Sequence, residues 1–185
     1  MMGAVDLAPT FPAAIVTEER SCFEAFQSEF DYLCRTLRRL GVRPEDIEDD
    51  AHEVFLVLNR KWPEYDRSRP LRPYLFGIAF RVSSARKRRA QRELPQALEE
   101  TADQAPSPHD ALEAAHAREL VLAALLRVPL PRRAVLVMHD IDEIPMRDIA
   151  TTLSLPLFTG YSRLRKARRE FEAAVRVLQK GRTEP

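Results

Sequence analysis

Between residues 47 and 62 the apolar positions Ile47, Ala51, Val54, Phe55, Leu58 and Trp62 recur at helical spacing, which gathers them into one stripe. The opposite face carries Glu48, Asp49, Asp50, Glu53 and Asn59, so this helix is expected to bury one side and present an acidic one. Upstream, Phe23, Phe26, Phe30, Leu33, Leu37 and Leu40 predict a first helix that ends at Gly41, a residue able to close it in the left-handed conformation. Pro44, Glu45 and Asp46 then open the second helix, with the acids at the positive end of its dipole. Leu71, Leu75, Ile78 and Val82 predict a third helix, entered through Pro73 in its first turn.

Residues 1–19 show apolar clusters without a period and are expected to be a tail. From Glu93 to Ala111 prolines and acids prevail with no basic residue, the composition of a solvated, flexible acidic linker. Helical periodicity returns at Leu112, Ala115, Leu122, Leu125 and Leu126, is interrupted by Pro129 and Pro131, and resumes through Ala134, Val135, Val137 and Met138. The run from Ile144 to Leu153, a short break at Ser154-Leu155-Pro156 and a basic amphipathic helix with Leu164, Phe171, Val175 and Leu178 read as a helix-turn-helix. Strand-like alternation never extends beyond a few residues. The expected class is all-α: an N-terminal helical bundle at 20–92 and a C-terminal helix-turn-helix domain at 112–180, with few contacts between them.

Charge changes the picture more than composition does. The formal net charge is only +1, yet basic residues cluster at 81–92 and 163–169 and acidic ones at 45–53 and 93–113. Local sign therefore points to partners where the total does not. Arg81, Arg86, Lys87, Arg88 and Arg89 lie together with no acid between them, a run suited to nucleic-acid phosphates. The loop ahead of that helix interleaves aromatic and basic residues. Tyr65 there, with Trp62 before it, could stack on an unpaired base or simply plug the bundle.

Cys22 and Cys34, placed on one predicted helix, point about 120° apart by the 3.6-residue period and suggest two ordinary thiols in a reducing cytoplasm. His52, His109, His116 and His139 lack metal-ligand spacing. No glycine-rich phosphate loop or nucleophile motif is present, so neither a cofactor nor an enzyme activity is expected. No run approaches the roughly 18 apolar residues of a membrane span, and the expected location is the cytoplasm.

The run Ile47-Glu-Asp-Asp-Ala-His-Glu-Val-Phe-Leu56 and the run Arg69-Pro-Leu-Arg-Pro-Tyr-Leu-Phe-Gly-Ile-Ala79 resemble the second region of bacterial sigma factors of the extracytoplasmic-function group. Pro131-Arg-Arg-Ala-Val-Leu136, Asp148-Ile-Ala150, Leu155-Pro-Leu-Phe-Thr159 and Ser162-Arg-Leu-Arg-Lys-Ala-Arg168 resemble the fourth. The resemblance implies a chain that binds core RNA polymerase and promoter DNA, with an anti-sigma factor as a further candidate partner. It assigns polymerase docking to Asp49, His52 and Glu53. It assigns recognition and melting of the −10 element to Tyr65, Asp66, Arg67, Ser68, Arg69 and Arg72, with Arg81, Arg86, Lys87, Arg88 and Arg89 on the phosphates.

Binding of the −35 element falls to Thr159, Tyr161, Ser162, Arg163, Arg165 and Lys166. This chain departs from the family in its second block. Pro145 replaces a serine, Ser154 a turn glycine, Phe158 a small residue, Gly160 a valine and Tyr161 a basic residue. Gly160 is expected to weaken its helix by about 1 kcal/mol. A dimeric helix-turn-helix regulator that needs no polymerase is the alternative, and a helical scaffold with no nucleic-acid role a third reading.

Overall fold

The computed structural model describes residues 20–93 and 109–183, and shows two small helical domains with no strand among those residues. The first holds α1 (Cys22–Ser28), α2 (Phe30–Leu40), α3 (Ile47–Lys61) and α4 (Leu71–Glu93). The second holds α5 (His109–Leu126), α6 (Leu130–Leu136), α7 (Met146–Thr152) and α8 (Leu157–Thr183). Short 3₁₀ turns precede and follow α3, and a π-helical turn at Val137–Ile141 extends α6. The expected tail, residues 1–19, and most of the expected linker, residues 94–108, lie outside the described residues.

The predicted first helix is two. Its chain breaks at Glu29, whose carboxylate turns to Arg72 at 2.8 Å. The break lets α1 swing over α3, so that Phe23 and Phe26 pack on Phe55 with ring centroids 6.3 and 5.0 Å away. Ser21 and Glu24 form a reciprocal capping box at the start of α1, satisfying donors that a helix end leaves open. Cys22 and Cys34 thus sit on different helices, both as free thiols. Gly41 closes α2 at φ 91° as expected.

The acidic face of α3 needs one correction. Asp50 is fully buried, not solvent-facing. It accepts from Arg86 of α4 (Nε–Oδ1 2.6 Å), and the same guanidinium reaches Asp46 at 3.1 Å. Burial pushes the Asp50 carboxyl above the usual carboxylate range, against the pull of Arg86.

Contacts between the domains are more extensive than the sequence suggested. One hydrophobic cluster runs from Leu33 and Leu37 through Leu75 and Phe76 to Leu125, Val128, Met138 and Ile149. Across it the Tyr32 hydroxyl donates to Asp142 Oδ2 (2.8 Å), and Arg39 reaches the other carboxylate oxygen at 3.3 Å. Burial pushes the Asp142 carboxyl up, opposed by those two partners, and the Tyr32 phenol is raised by burial and by the Asp142 charge. Arg81 of α4 donates to the Thr152 carbonyl at 3.1 Å.

Two glycines make room for the neighbouring domain. A β-carbon on Gly41 would stand 2.6 Å from Arg133 Nη1, and one on Gly77 would stand 2.9 Å from Thr152 Cγ2. Arg133, itself buried, donates to the Val128 and Leu126 carbonyls at the end of α5.

Gly77 lies inside α4, where alanine favours the helix by about 1 kcal/mol. Gly77→Ala alone is expected to lower the thermal midpoint, because its methyl meets the Thr152 methyl. Gly77→Ala with Thr152→Ser removes that clash and should raise the midpoint above wild type. Calorimetry of the three proteins checks this, and equal midpoints for the single and double variants would refute the close approach.

Candidate nucleic-acid interface

The segment before α4 is a folded hairpin of side chains. Trp62 opens a 3₁₀ turn, and its indole stacks on Tyr65 (centroids 5.4 Å, 20°), which leans on Tyr74 (4.8 Å). The Tyr65 hydroxyl donates to the Arg69 carbonyl at 2.6 Å, which closes the loop. Asp66 Oδ1 accepts from the Ser68 amide (3.0 Å) and hydroxyl (2.6 Å), and these two bonds hold its carboxyl below the usual range. Arg67 lies 5.7 Å over the Trp62 ring, and Arg69 reaches Asp66 at 3.4 Å. An aromatic platform with a cation over one of its rings and a rigid turn in front can take a flat π-surface such as an unpaired base.

Two of the residues expected to hold phosphates, Arg81 and Arg86, are already engaged within the chain, and so is Arg72 of the loop. Arg86 is bonded to Asp46 and Asp50, Arg81 to Gly77 and Thr152, and Arg72 to Glu29 while lying 5.2 Å over Tyr32. A run of like charges cannot reveal this, because the partners come from α3, the α1–α2 break and the other domain. Lys87, Arg88 and Arg89 are exposed and form no ion pair with a described residue.

On α3, Asp49, His52 and Glu53 are exposed on one face, together with Leu56, which is 52% exposed. Leu56 was missed by the sequence reading because it falls off the buried stripe. The helical register of Leu56 with Asp49, His52 and Glu53 was the signal available.

In the second domain, α7 and α8 meet through the turn Leu153–Pro156, where Ser154 takes φ 53°. That conformation costs a non-glycine residue about 1 kcal/mol. Gly160, expected to weaken its helix, has a packing role beside that cost. A β-carbon there would lie 2.6 Å from Met146 Sδ and 3.3 Å from Leu155, so the glycine permits the close crossing of α7 and α8. With Gly160, Leu164 and Ala167 buried, the opposite face carries Phe158, Ser162, Arg165 and Arg169 outward. Tyr161, Arg165 and Lys166 are exposed, while Thr159, Ser162 and Arg163 are half-buried. Phe158, at 84% exposure, is the second apolar residue that the sequence reading left out of the site. Arg168 instead grips Asp140 with two bonds of 2.8 and 2.7 Å.

Among the described residues no cluster of histidine, cysteine or acidic side chains could hold a metal ion, and no helix is long and apolar enough to cross a membrane. The profile of the Sigma-70 region 2 family matches residues 25–93. That stretch is similar to the family's second region. The matched stretch runs from within α1 to the end of α4 and includes the acidic face of α3 and the aromatic platform. A search of curated proteins finds no match.

Among solved structures, CnrH in complex with the cytosolic domain of CnrY is similar at 20% identity. It covers 84% of this chain and 88% of its own, with a TM-score of 0.58. The sigma factor RpoE in complex with the anti-sigma factor NepR from Bartonella quintana is similar at 18% identity, covering 82% and 97%, with a TM-score of 0.63. Both share the all-α fold across the two domains. The resemblance to extracytoplasmic-function sigma factors is borne out by the region 2 match together with this fold, and that match supports a sigma-factor role.

Arg86→Met leaves the buried Asp50 without its cation. Removing one partner of a buried pair costs about 3–5 kcal/mol, whereas Lys87→Met on the surface should change stability by no more than about 0.5 kcal/mol. Because the Asp50 pKa is raised in the folded state, its burden is full above that raised value and is relieved as pH falls below the unfolded one. Urea unfolding should therefore show the Arg86→Met deficit shrinking towards acid pH. A pH-independent deficit would mean that the carboxylate is not what the arginine compensates.

Proposed function

We propose that this chain is a sigma factor that binds core RNA polymerase, recognises promoter DNA and opens its strands to begin transcription. The observation that carries the reading is the region 2 match over residues 25–93 in a chain whose second domain is a helix-turn-helix with a basic outer face. Core polymerase docks on the outer face of α3 through Asp49, His52, Glu53 and Leu56. The platform of Trp62, Tyr65 and Tyr74 takes a base flipped from the −10 element, with Arg67 beside it. Lys87, Arg88 and Arg89 hold phosphates at the far end of α4. The first turns of α8 enter the major groove of the −35 element, as second helices of such motifs do.

Strand opening needs no catalysis on this reading. A base stacked on an aromatic ring gains about 1–3 kcal/mol, comparable to a base-pair step, so one or two captures bias the duplex towards melting. The division into domains at 20–92 and 112–180 belongs to the same proposal. Elements about 25 base pairs apart are separated by about 85 Å along the duplex, while a compact chain of this length has a radius of gyration of about 16 Å. The two domains must then part when both elements are bound. An anti-sigma factor, the kind of partner seen with RpoE, is proposed as a ligand of the undocked chain.

The test is co-purification with core RNA polymerase followed by run-off transcription from a promoter library. A protein that binds duplex DNA as a dimer and ignores polymerase would instead be a regulator. Asp49→Lys with Glu53→Lys is expected to abolish co-purification while far-ultraviolet circular dichroism stays unchanged, since both side chains are exposed. Tyr65→Ala is expected to lower open-complex formation, read by permanganate reactivity of thymines, by about ten-fold for a loss of about 1.4 kcal/mol of stacking. Unchanged reactivity with intact polymerase binding would reduce Tyr65 to a packing role.

A further inference from the structure

The first turn of α8 places Leu157, Phe158 and Tyr161 in solvent, at 46, 84 and 55% exposure. Single exposed apolar residues are ordinary, but three within five positions form a patch. Phe158 is the most exposed of the large hydrophobic side chains among the described residues. Its direction is fixed by the fold, because Gly160, two positions on, is wedged against Met146 and Leu155 and sets the rotation of the helix. Along the same outward line follow Ser162, Arg165 and Arg169, and Arg163 and Lys166 flank it. None of these four cations forms an ion pair with a described residue. An aromatic tip rimmed by unpaired cations suits a polyanion that also displays an apolar group.

The major groove of DNA carries such a group at only one base, the C5-methyl of thymine. We propose that Phe158 reads a thymine methyl in the upstream promoter element, which makes it a specificity-determining residue, with Arg165 and Arg169 on the phosphates behind it. The inference rests on the proposed role of α8 as the duplex reader and adds the base that it selects. The cations position the helix without regard to sequence, whereas the ring loses its contact whenever the methyl is absent. Burying one methyl-sized group is worth a factor of about three to five in affinity at about 0.8 kcal/mol.

The test uses holoenzyme reconstituted from core polymerase and the full chain. Promoters are enriched by transcription from random duplex DNA, then resynthesised with each upstream thymine replaced singly by deoxyuridine, which removes only the methyl. With the wild-type chain one or two replacements should lower run-off transcription about three- to five-fold. With Phe158→Ala those positions should become insensitive, and Phe158→Leu should restore part of the response.

Three results would overturn the proposal. One is that no upstream thymine is methyl-sensitive, and another is that Phe158→Ala keeps the wild-type pattern. The third is that Phe158→Ala weakens binding to core polymerase without DNA, which would assign the ring to a protein contact. Arg165→Ala with Arg169→Ala separates this failure from that of the underlying reading. If the arginine pair lowers upstream-dependent transcription while deoxyuridine has no effect, Phe158 alone is misassigned. If the pair has no effect either, α8 is not the duplex reader.

Discussion

The placement of the second domain's candidate surface relative to those of the first depends on how the two domains seat together, and two glycines make room for that seating. A β-carbon on Gly41 or Gly77 would press on Arg133 Nη1 or Thr152 Cγ2, so that one neighbour or the other would have to shift. Apolar burial drives the approach but is indifferent to register. The polar contacts supply the register: Asp142 receives Tyr32 and Arg39, and the Thr152 carbonyl receives Arg81. A buried carboxylate left without those donors would carry a desolvation penalty, so a seating shifted by a few ångströms is penalised. An interface built this way is specific, and its ionic and hydroxyl groups would be re-solvated in the proposed parting of the domains.

The seating also explains which cations remain available to a partner. The basic run of α4 divides by direction. Arg81 faces the second domain and Arg86 faces α3, while Lys87, Arg88 and Arg89 face solvent. Arg86 holds the acidic start of α3 against α4, which ties the surface proposed for polymerase to the helix proposed for DNA. Asp50 belongs to that joint and not to the proposed docking face, which is left to Asp49, His52, Glu53 and Leu56.

Helical periodicity made most of the architecture legible, because each buried stripe follows from 3.6 residues per turn. The stripe of α3, the Gly41 cap and the entry of α4 through Pro73 all follow from local rules. What stayed hidden is non-local. The break at Glu29 is explained by Arg72, 43 positions away, and the engagement of Arg81 by Thr152, 71 positions away. Gly160 looked like a helix defect because propensity sees only its own helix, whereas its neighbour Met146 belongs to another. Leu56 and Phe158 were passed over for a related reason. An apolar residue out of phase with a stripe carries no signal about the fold, and that is what makes it informative about a partner.

The two proposed readers differ in how much of their geometry is prepaid. In the first domain the rings of Trp62, Tyr65 and Tyr74 are already stacked, and the loop in front is tied by Tyr65 to the Arg69 carbonyl and by Asp66 to Ser68. A base arriving there loses its own freedom but orders little of the protein, so more of the stacking energy remains to hold the strand open. In the second domain the backbone is equally fixed, by Ser154 in its left-handed turn and by the Gly160 crossing, but the tip is a single ring on two rotatable bonds. Such a ring can seek a methyl group within the groove without moving the helix. A rigid platform suits a step that must hold strands apart, and a short aromatic lever on a rigid helix suits one that must sample many duplex sequences before stopping.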